Sequence, residues 1–318
     1  MANEIRAISK IEKMSRRRRN KGRSIDGIVI LDKAKGLTSN AALQEVKRLF
    51  EANKAGHTGS LDPLATGVLP LCLGEATKVS QFLLNSDKRY RAQIKLGERT
   101  ASGDSDSSVI ERCDDFELSR SGIELVLESF RGDIQQLPPM YSALKVNGVP
   151  LYKMARKGIE VKREKRNVTV YSIDLLSFED NVVELDIACS KGTYIRTIAD
   201  DLGQALACGA HIIALRRTQA GAFTEADCVD VSKIEEQKEL GGLETIDEYL
   251  VPMDRAITEL PEVSLPSDTA SHIKNGQAVI VRHLPEEGLV RLYEEEQFIG
   301  IGSIEDDGKV APRRLIVS

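Results

Sequence analysis

The stretch Gly56-His57-Thr58-Gly59-Ser60-Leu61-Asp62-Pro63-Leu64-Ala65-Thr66-Gly67-Val68-Leu69-Pro70 constrains this chain more than any other. Three glycines and two prolines in fifteen residues predict neither an ordinary helix nor a central strand. Leu61, Leu64, Ala65, Val68 and Leu69 nevertheless call for burial, so a solvated loop does not fit either. Pro63 pushes Asp62 towards an extended backbone. A carboxylate is thus set between two leucines in a segment pinned against a core. Desolvating it is costly unless a cation or donor meets it, which marks Asp62 as a candidate for chemistry. An aspartate before proline also fits a simple Asx-turn.

At 318 residues the chain exceeds one average domain, so two domains or one with a large appendage are expected. No run of about 18 apolar residues predicts a membrane span. The basic N-terminus lacks the apolar run of a secretory signal. Cys72, Cys113, Cys189, Cys208 and Cys228 are odd in number and form no C-x-x-C pair, as expected of free thiols in a reducing cytoplasm. The histidines His57, His211, His272 and His283 are scattered, so no metal is predicted. The net charge of −5 is unevenly spread. Residues 1–24 hold nine Lys/Arg against two Glu, leaving the remainder with a net charge of −12. An acidic body that binds RNA must gather its basic groups locally. Residues 1–24, with the run Arg16 to Arg23, read as a disordered basic arm, either a solubilising tail or an electrostatic RNA tether.

Beyond the arm, Ile28 to Leu31 reads as a buried strand and Asp32 to Gly36 as a turn. Thr38, Ser39 and Asn40 offer N-caps to a helix with Ala42, Val46 and Leu49 inward. Gly74 to Lys78 leads into a second helix, where Lys78 is either phosphate-facing or solvated. Arg89 to Leu96 alternates as a strand, with Tyr90, Ala92, Ile94 and Leu96 on one face. Tyr90 is either a core aromatic or a platform for an unstacked base. Gly97 to Ser108 reads as a polar loop and residues 119–131 as a helix. Residues 135–161 weaken in pattern and gather Lys145, Lys153 and Arg156, as a basic protrusion or a plain surface connection. Val183 to Cys189 is a strand feeding a helix through Ser190 to Arg196. Arg196 in the first helical turn opposes the helix dipole, so an anion holds it or it is exposed. Leu215 fits a plain core position. Residues 225–250 are acidic and helix-prone, and from Pro252 short alternating strands predict a β-rich module.

Gly56 to Pro63, with Ala65 and Gly67, resembles the catalytic motif of the TruB class of pseudouridine synthases. Lys191-Gly192-Thr193-Tyr194-Ile195-Arg196 and Ala214-Leu215-Arg216-Arg217-Thr218 resemble its second and third signatures, in the expected order. The likeness spans residues 25–318, with Ala34 standing where family members typically have proline. It implies an α+β fold: a catalytic domain over 25–250 with a mixed, mainly antiparallel sheet, and a PUA-like RNA-binding domain over 251–318. It further implies a catalytic Asp62, an Arg196 that pairs with it, and a Tyr90 that stacks on the target base. His57, Lys78, Tyr194 and Leu215 would then contact substrate, with Lys145, Lys153, Arg156, Lys274, Arg313 and Arg314 on the RNA backbone. The implied reaction isomerises uridine at position 55 in the T-loop of tRNA, without cofactor. Arg196 is expected to hold Asp62 ionised. A non-catalytic RNA binder or tRNA-folding chaperone is the rival class, and a monomer is the default assembly.

Overall fold

The computed structural model describes residues 22–282 and 284–316. The arm up to residue 21 lies outside them. Residues 22–24, assigned to that arm from sequence, instead belong to the folded body. Arg23 donates to the Phe50 carbonyl at 2.8 Å and pairs with Asp247, because both acceptors lie within its reach.

A nine-stranded sheet organises the larger unit. Its elements are β1 (Gly27–Lys33), α1 (Ser39–Leu49), β2 (Ala55–His57), β3 (Thr66–Leu73), β4 (Lys88–Leu96), α2 (Arg120–Glu128), β5 (Gly132–Gln136), β6 (Arg166–Glu179), β7 (Val182–Cys189), α3 (Ile195–Ala205), β8 (Ala210–Ala220) and β9 (Phe223–Thr224). The strand order is β1-β3-β8-β4-β7-β6-β5, with β2 paired to β3 and β9 to β8. Only β3 and β8 run parallel, so the sheet is mixed and mainly antiparallel.

Ile28 to Leu31 of β1 are all apolar because the sheet is covered on both faces. Val29 and Leu31 join a core with α1, α2 and α3, while Ile28 and Ile30 join a second core with Leu83, Phe223 and Ile257. Helix α1 begins at Thr38, whose hydroxyl accepts from Ala41 N–H at 3.1 Å, and it buries Ala42, Leu43, Val46 and Leu49. In β4 the expected alternation appears: Ala92, Ile94 and Leu96 are buried, while Arg89 and Arg91 pair outward with Asp186 and Glu184 on β7.

The glycine–proline stretch departs from its expectation. Thr66–Leu73 is a buried strand, β3, despite Gly67 and Pro70. Pairing with β8 covers only Thr66 and Gly67, and pairing with β2 only Leu71 to Leu73. Pro70 sits in the gap between them, where a missing N–H breaks no ladder bond on that edge. At Gly67, φ is +97° and an added Cβ would lie 2.2 Å from the Arg217 carbonyl oxygen, so glycine is required. Strand β1 likewise runs on through Asp32 and Lys33, which were expected in the turn. Lys33 is fully buried and donates to the carbonyls of Ala34 and Leu37 at 2.8 and 2.7 Å.

A helical stretch, α4 (Val231–Asp247), is broken at Gly242. The C-terminal module then comprises β10 (Glu262–Leu265), α5 (Ser267–Lys274), β11 (Val279–Ile280), β12 (Gly288–Glu294), β13 (Gln297–Ile304) and β14 (Lys309–Leu315). They form a separate sheet of order β10-β12-β13-β14-β11 around its own core of Val263, Ile273, Leu292 and Val310. Residues 251–257 touch both units: Val251 pairs with Ile28 of β1, Asp254 accepts from the Tyr293 hydroxyl of β12 at 2.6 Å, and Ile257 packs in the second core, to which Ile301 of β13 also belongs. No helix among the described residues is long and apolar enough to cross a membrane.

Candidate active site

Asp62 occupies a short loop between β2 and β3 that several bonds immobilise. Ser39, at the start of α1, accepts from the Leu61 N–H at 2.7 Å and donates to the Leu61 carbonyl at 3.1 Å. The Asp62 carbonyl accepts from Ala65 N–H at 3.0 Å, and the Pro63 carbonyl from Gly36 N–H at 2.7 Å. Leu61, Leu64 and Ala65 are buried beneath, as their sequence predicts. The carboxylate is therefore presented on a rigid floor.

That floor opens into a cleft of about 830 Å³. Tyr90 of β4, Leu215 and Arg217 of β8, and Tyr194 and Arg196 at the start of α3 all line it. Tyr90 and Arg217 are direct partners in the β4–β8 register, so their side chains share one sheet face with Leu215. The sheet supplies the wall, and the loops at its edge supply the acid.

Arg196 is the most heavily bonded cation of the site. Its Nε lies 2.9 Å from Asp62 Oδ2, and its Nη1 lies 3.6 Å from Asp104 Oδ2. It also donates to the carbonyls of Ser102 at 2.9 Å and Tyr141 at 2.7 Å. Between the two readings open in sequence, the anion-held one prevails: the side chain is 6% exposed. Around it, the Tyr194 N–H donates to Gln136 Oε1 at 2.9 Å, which fastens α3 to the root of the basic protrusion.

The Asp62 carboxylate is 40% exposed towards the mouth, yet the walls displace most of its water. Burial is the largest influence on it and raises its pKa above the usual carboxylate value. Arg196 opposes this, while the nearby charge of Asp104 adds to it. Arg196 favours the ionised form by charge and hydrogen bonding and fixes the orientation of the carboxylate, against the opposing effect of burial. Burial raises the pKa of Tyr90, and the charge of Arg217 opposes this. Lys88, also in the cleft, is lowered to about 8, first by burial and then by Arg217.

Not every residue named from sequence gathers here. Lys145 lines the rim, and Lys153 and Arg156 are exposed on the protrusion, where Arg156 stacks on Tyr152. His57 lies in β2, half-buried, with its Nδ1 lacking a hydrogen-bond partner. Burial and the charge of Arg217 lower its pKa. Lys78 is a correction: it is outside the cleft, ion-paired with Glu75 and donating to the Leu315 carbonyl at 2.6 Å. The module's last strand captures it. Arg314 reciprocates by donating to the Lys78 carbonyl at 2.9 Å, so this pair joins the two units. Arg313 donates to Ser303, and Lys274 is ion-paired with Glu294 on β12.

Sequence reasoning missed Asp104, Ser102, Lys88 and Arg217. The first two lie in what reads as an open polar loop, yet both are buried, because Arg196 draws that loop inward. Arg217 was quoted only as part of a signature. Its two-residue spacing from Leu215 was the available signal, since it places both on one face of a strand.

The comparisons agree with this architecture over most of the chain. Family models described as the N-terminal domain of TruB family pseudouridylate synthase, the tRNA pseudouridylate synthase B C-terminal domain, and pseudouridine synthase II TruB, C-terminal, match residues 47–195, 196–258 and 261–316. The tRNA pseudouridine synthase B of Tolumonas auensis is 52% identical over 311 residues, covering 95% of this chain and 96% of that protein. That of Vibrio parahaemolyticus is 53% identical over 309 residues, covering 94% and 98%. Among solved structures, a chain of an H/ACA RNP bound to a substrate RNA containing 2′-deoxyuridine superposes with a TM-score of 0.70 at 26% identity, covering 92% of this chain and 85% of that one. A chain of a Cbf5-Nop10-Gar1 complex gives a TM-score of 0.68 at 28% identity, covering 92% and 84%. With three consecutive family models over most of its length and relatives above half identity, the chain belongs to the TruB family of pseudouridine synthases, isomerases that act on uridine in tRNA.

Proposed function

We propose that this chain isomerises uridine to pseudouridine at position 55 in the T-loop of tRNA, with Asp62 as the catalytic group. The observation that carries this reading is the Asp62–Arg196 pair at 2.9 Å on the floor of a cleft walled by Tyr90. A uridine inside a folded loop cannot reach such a floor, so it is flipped out, at a cost of a few kcal/mol. Tyr90 and Leu215 offer an aromatic and an apolar surface for the extruded base.

Burial makes the Asp62 carboxylate more basic than one in water, and Arg196 restrains it in a single orientation. Asp62 opens the reaction by adding to C1′ or C6 or by assisting removal of the 2′ proton. The N1–C1′ bond breaks, uracil turns within the cleft, C5 joins C1′ as any bond to Asp62 is released, and C5 gives up its proton while N1 gains one. Water exclusion protects the intermediate while both fragments remain bound. Lys145 at the rim, with Lys153 and Arg156 on the protrusion, supplies backbone contacts to the T-arm, and the C-terminal PUA-like domain adds a second RNA-binding surface.

The test is an unmodified tRNA transcript incubated with the protein and EDTA, then read by carbodiimide treatment and primer extension. A single stop at the T-loop uridine, absent with Asp62→Asn although that variant still binds RNA, is the expected result. Full turnover by Asp62→Asn removes Asp62 from the mechanism. Tight binding without modification by the unaltered protein points to the chaperone alternative.

A further inference from the structure

Arg217 lines the cleft and takes no part in the proposed reaction. It is 1% exposed, among the largest fully buried side chains of the protein. Its Nε donates to the Val68 carbonyl at 2.6 Å, where β3 and β8 diverge. Its Nη2 has no hydrogen-bond partner, and no carboxylate forms an ion pair with it among the described residues. Leaving a buried cation so poorly matched is costly, and such a cost is tolerated where the group acts on something. The side chain facing it across the β4–β8 register is Tyr90.

We infer that Arg217 is a positioning residue that sets the hydrogen-bond polarity of Tyr90, so that the phenol acts as a donor to an acceptor oxygen of the bound nucleotide. The inference rests on the reading that Tyr90 faces the extruded uridine. A guanidinium carries only N–H donors and accepts nothing. A phenol oxygen beside it therefore accepts, and its own O–H is turned away from β8. The direction left is the cleft that Tyr90 lines. Were an acceptor such as a carboxylate there instead, the hydroxyl would turn to it and be lost to substrate. Tyr90 and Arg217 face each other across the register and both line the cleft, close enough for the charge of Arg217 to act on the phenol. The bond from Arg217 to the phenol forms as substrate settles in the cleft, and Nη2 holds an unused donor for it. Arg217 also lies under the approach to Asp62, with Nη1 3.7 Å from where a Cβ on Gly59 would stand.

The experiment compares single-turnover rates of pseudouridine formation, on one tRNA transcript and with the full-length protein, for Tyr90→Phe, Arg217→Met, Arg217→Lys and the double variant Tyr90→Phe/Arg217→Met. RNA affinity is measured separately. Losing one charge-supported hydrogen bond corresponds to about tenfold in rate. Each of Tyr90→Phe and Arg217→Met should slow the reaction by about that factor, Arg217→Lys should recover part of it, and the double variant should be no slower than the worse single one. In protein labelled at tyrosine ¹³Cζ, the Tyr90 signal should move in Arg217→Met while the other six tyrosines stay in place. Multiplying effects in the double variant, a Tyr90→Phe enzyme at full rate, or an unmoved Tyr90 signal would each overturn the inference. If Arg217→Met does not fold, the same comparisons decide the matter with Arg217→Lys. An inactive Asp62→Asn beside multiplying Tyr90 and Arg217 effects sinks this inference alone, whereas an active Asp62→Asn sinks the proposed function.

Discussion

Arg196 and Arg217 line the same cleft and are almost equally buried, but their surroundings differ in kind. Arg196 meets two carboxylates and two carbonyls, whereas Arg217 meets one carbonyl and leaves Nη2 without a partner. Arg196 closes a network: it ties the Asp62 loop to the 102–104 loop, the protrusion and α3. Removing it orphans groups that the fold has already desolvated. Arg217 orphans no acid when removed, so its presence is explained by what it does to Tyr90 and to incoming RNA. Internal satisfaction marks the arginine that builds the site, and an unspent donor marks the one that awaits a partner.

The sharpest test of this contrast is stability. Arg196→Met leaves Asp62 and the 6%-exposed Asp104 without their counter-charge, and breaking such a buried pair costs about 3–5 kcal/mol. Arg217→Met gives up one charged hydrogen bond, at most about 1.5–3 kcal/mol, and is also relieved of an unmatched buried cation. Urea unfolding of both variants should place Arg196→Met lower. The reverse order breaks the comparison.

Next in size is the backbone contact that seats Arg217. Gly67→Ala at φ +97° would set a Cβ 2.2 Å from the Arg217 carbonyl, which cannot yield without parting β3 from β8. A loss of about 2 kcal/mol or more is expected. Gly59→Ala shares the positive φ but meets only the end of the Arg217 side chain, so its loss should be smaller in the same unfolding assay.

The smallest effect sharpens the Arg196 side. Burial raises the pKa of Asp62, and the charge of Asp104 raises it further. If the ionised carboxylate is the active form, activity is lost as pH falls through that raised value. Asp104→Asn removes a neighbouring negative charge, favours the carboxylate, and lowers the pKa. The acid limb of the pH profile of kcat/KM should therefore move to lower pH, with little change on its alkaline side. A shift upward would mean that Asp104 acts on Asp62 other than by charge.

Much of this protein was readable before its fold was known. The alternation of β4, the apolar stripe of α1 and the pinning of Asp62 between buried leucines follow from local periodicity and side-chain transfer energies, which a linear reading captures. The C-terminal β-rich module was likewise expected from its short alternating strands, and the mixed, mainly antiparallel sheet from the family likeness. Gly67 and Pro70 misled because their tolerance in β3 depends on where two different neighbouring strands stop pairing. Lys78 and Arg314 misled because exposure and charge look alike in sequence, whether the partner is a phosphate or a carbonyl of the adjoining module.

Arg216 and Arg217 draw the line most clearly. The sequence by itself determined that two adjacent residues in a strand face opposite ways. Only the tertiary structure decided which way: Arg216 reaches Asp32 and Glu225 at a half-exposed edge, while Arg217 is enclosed opposite Tyr90. The same holds for Arg196, whose second acid, Asp104, lies 92 residues away in a polar loop. Periodicity is a property of neighbours along the chain, but the charge and dielectric around a side chain are summed over everything that folding brings near it.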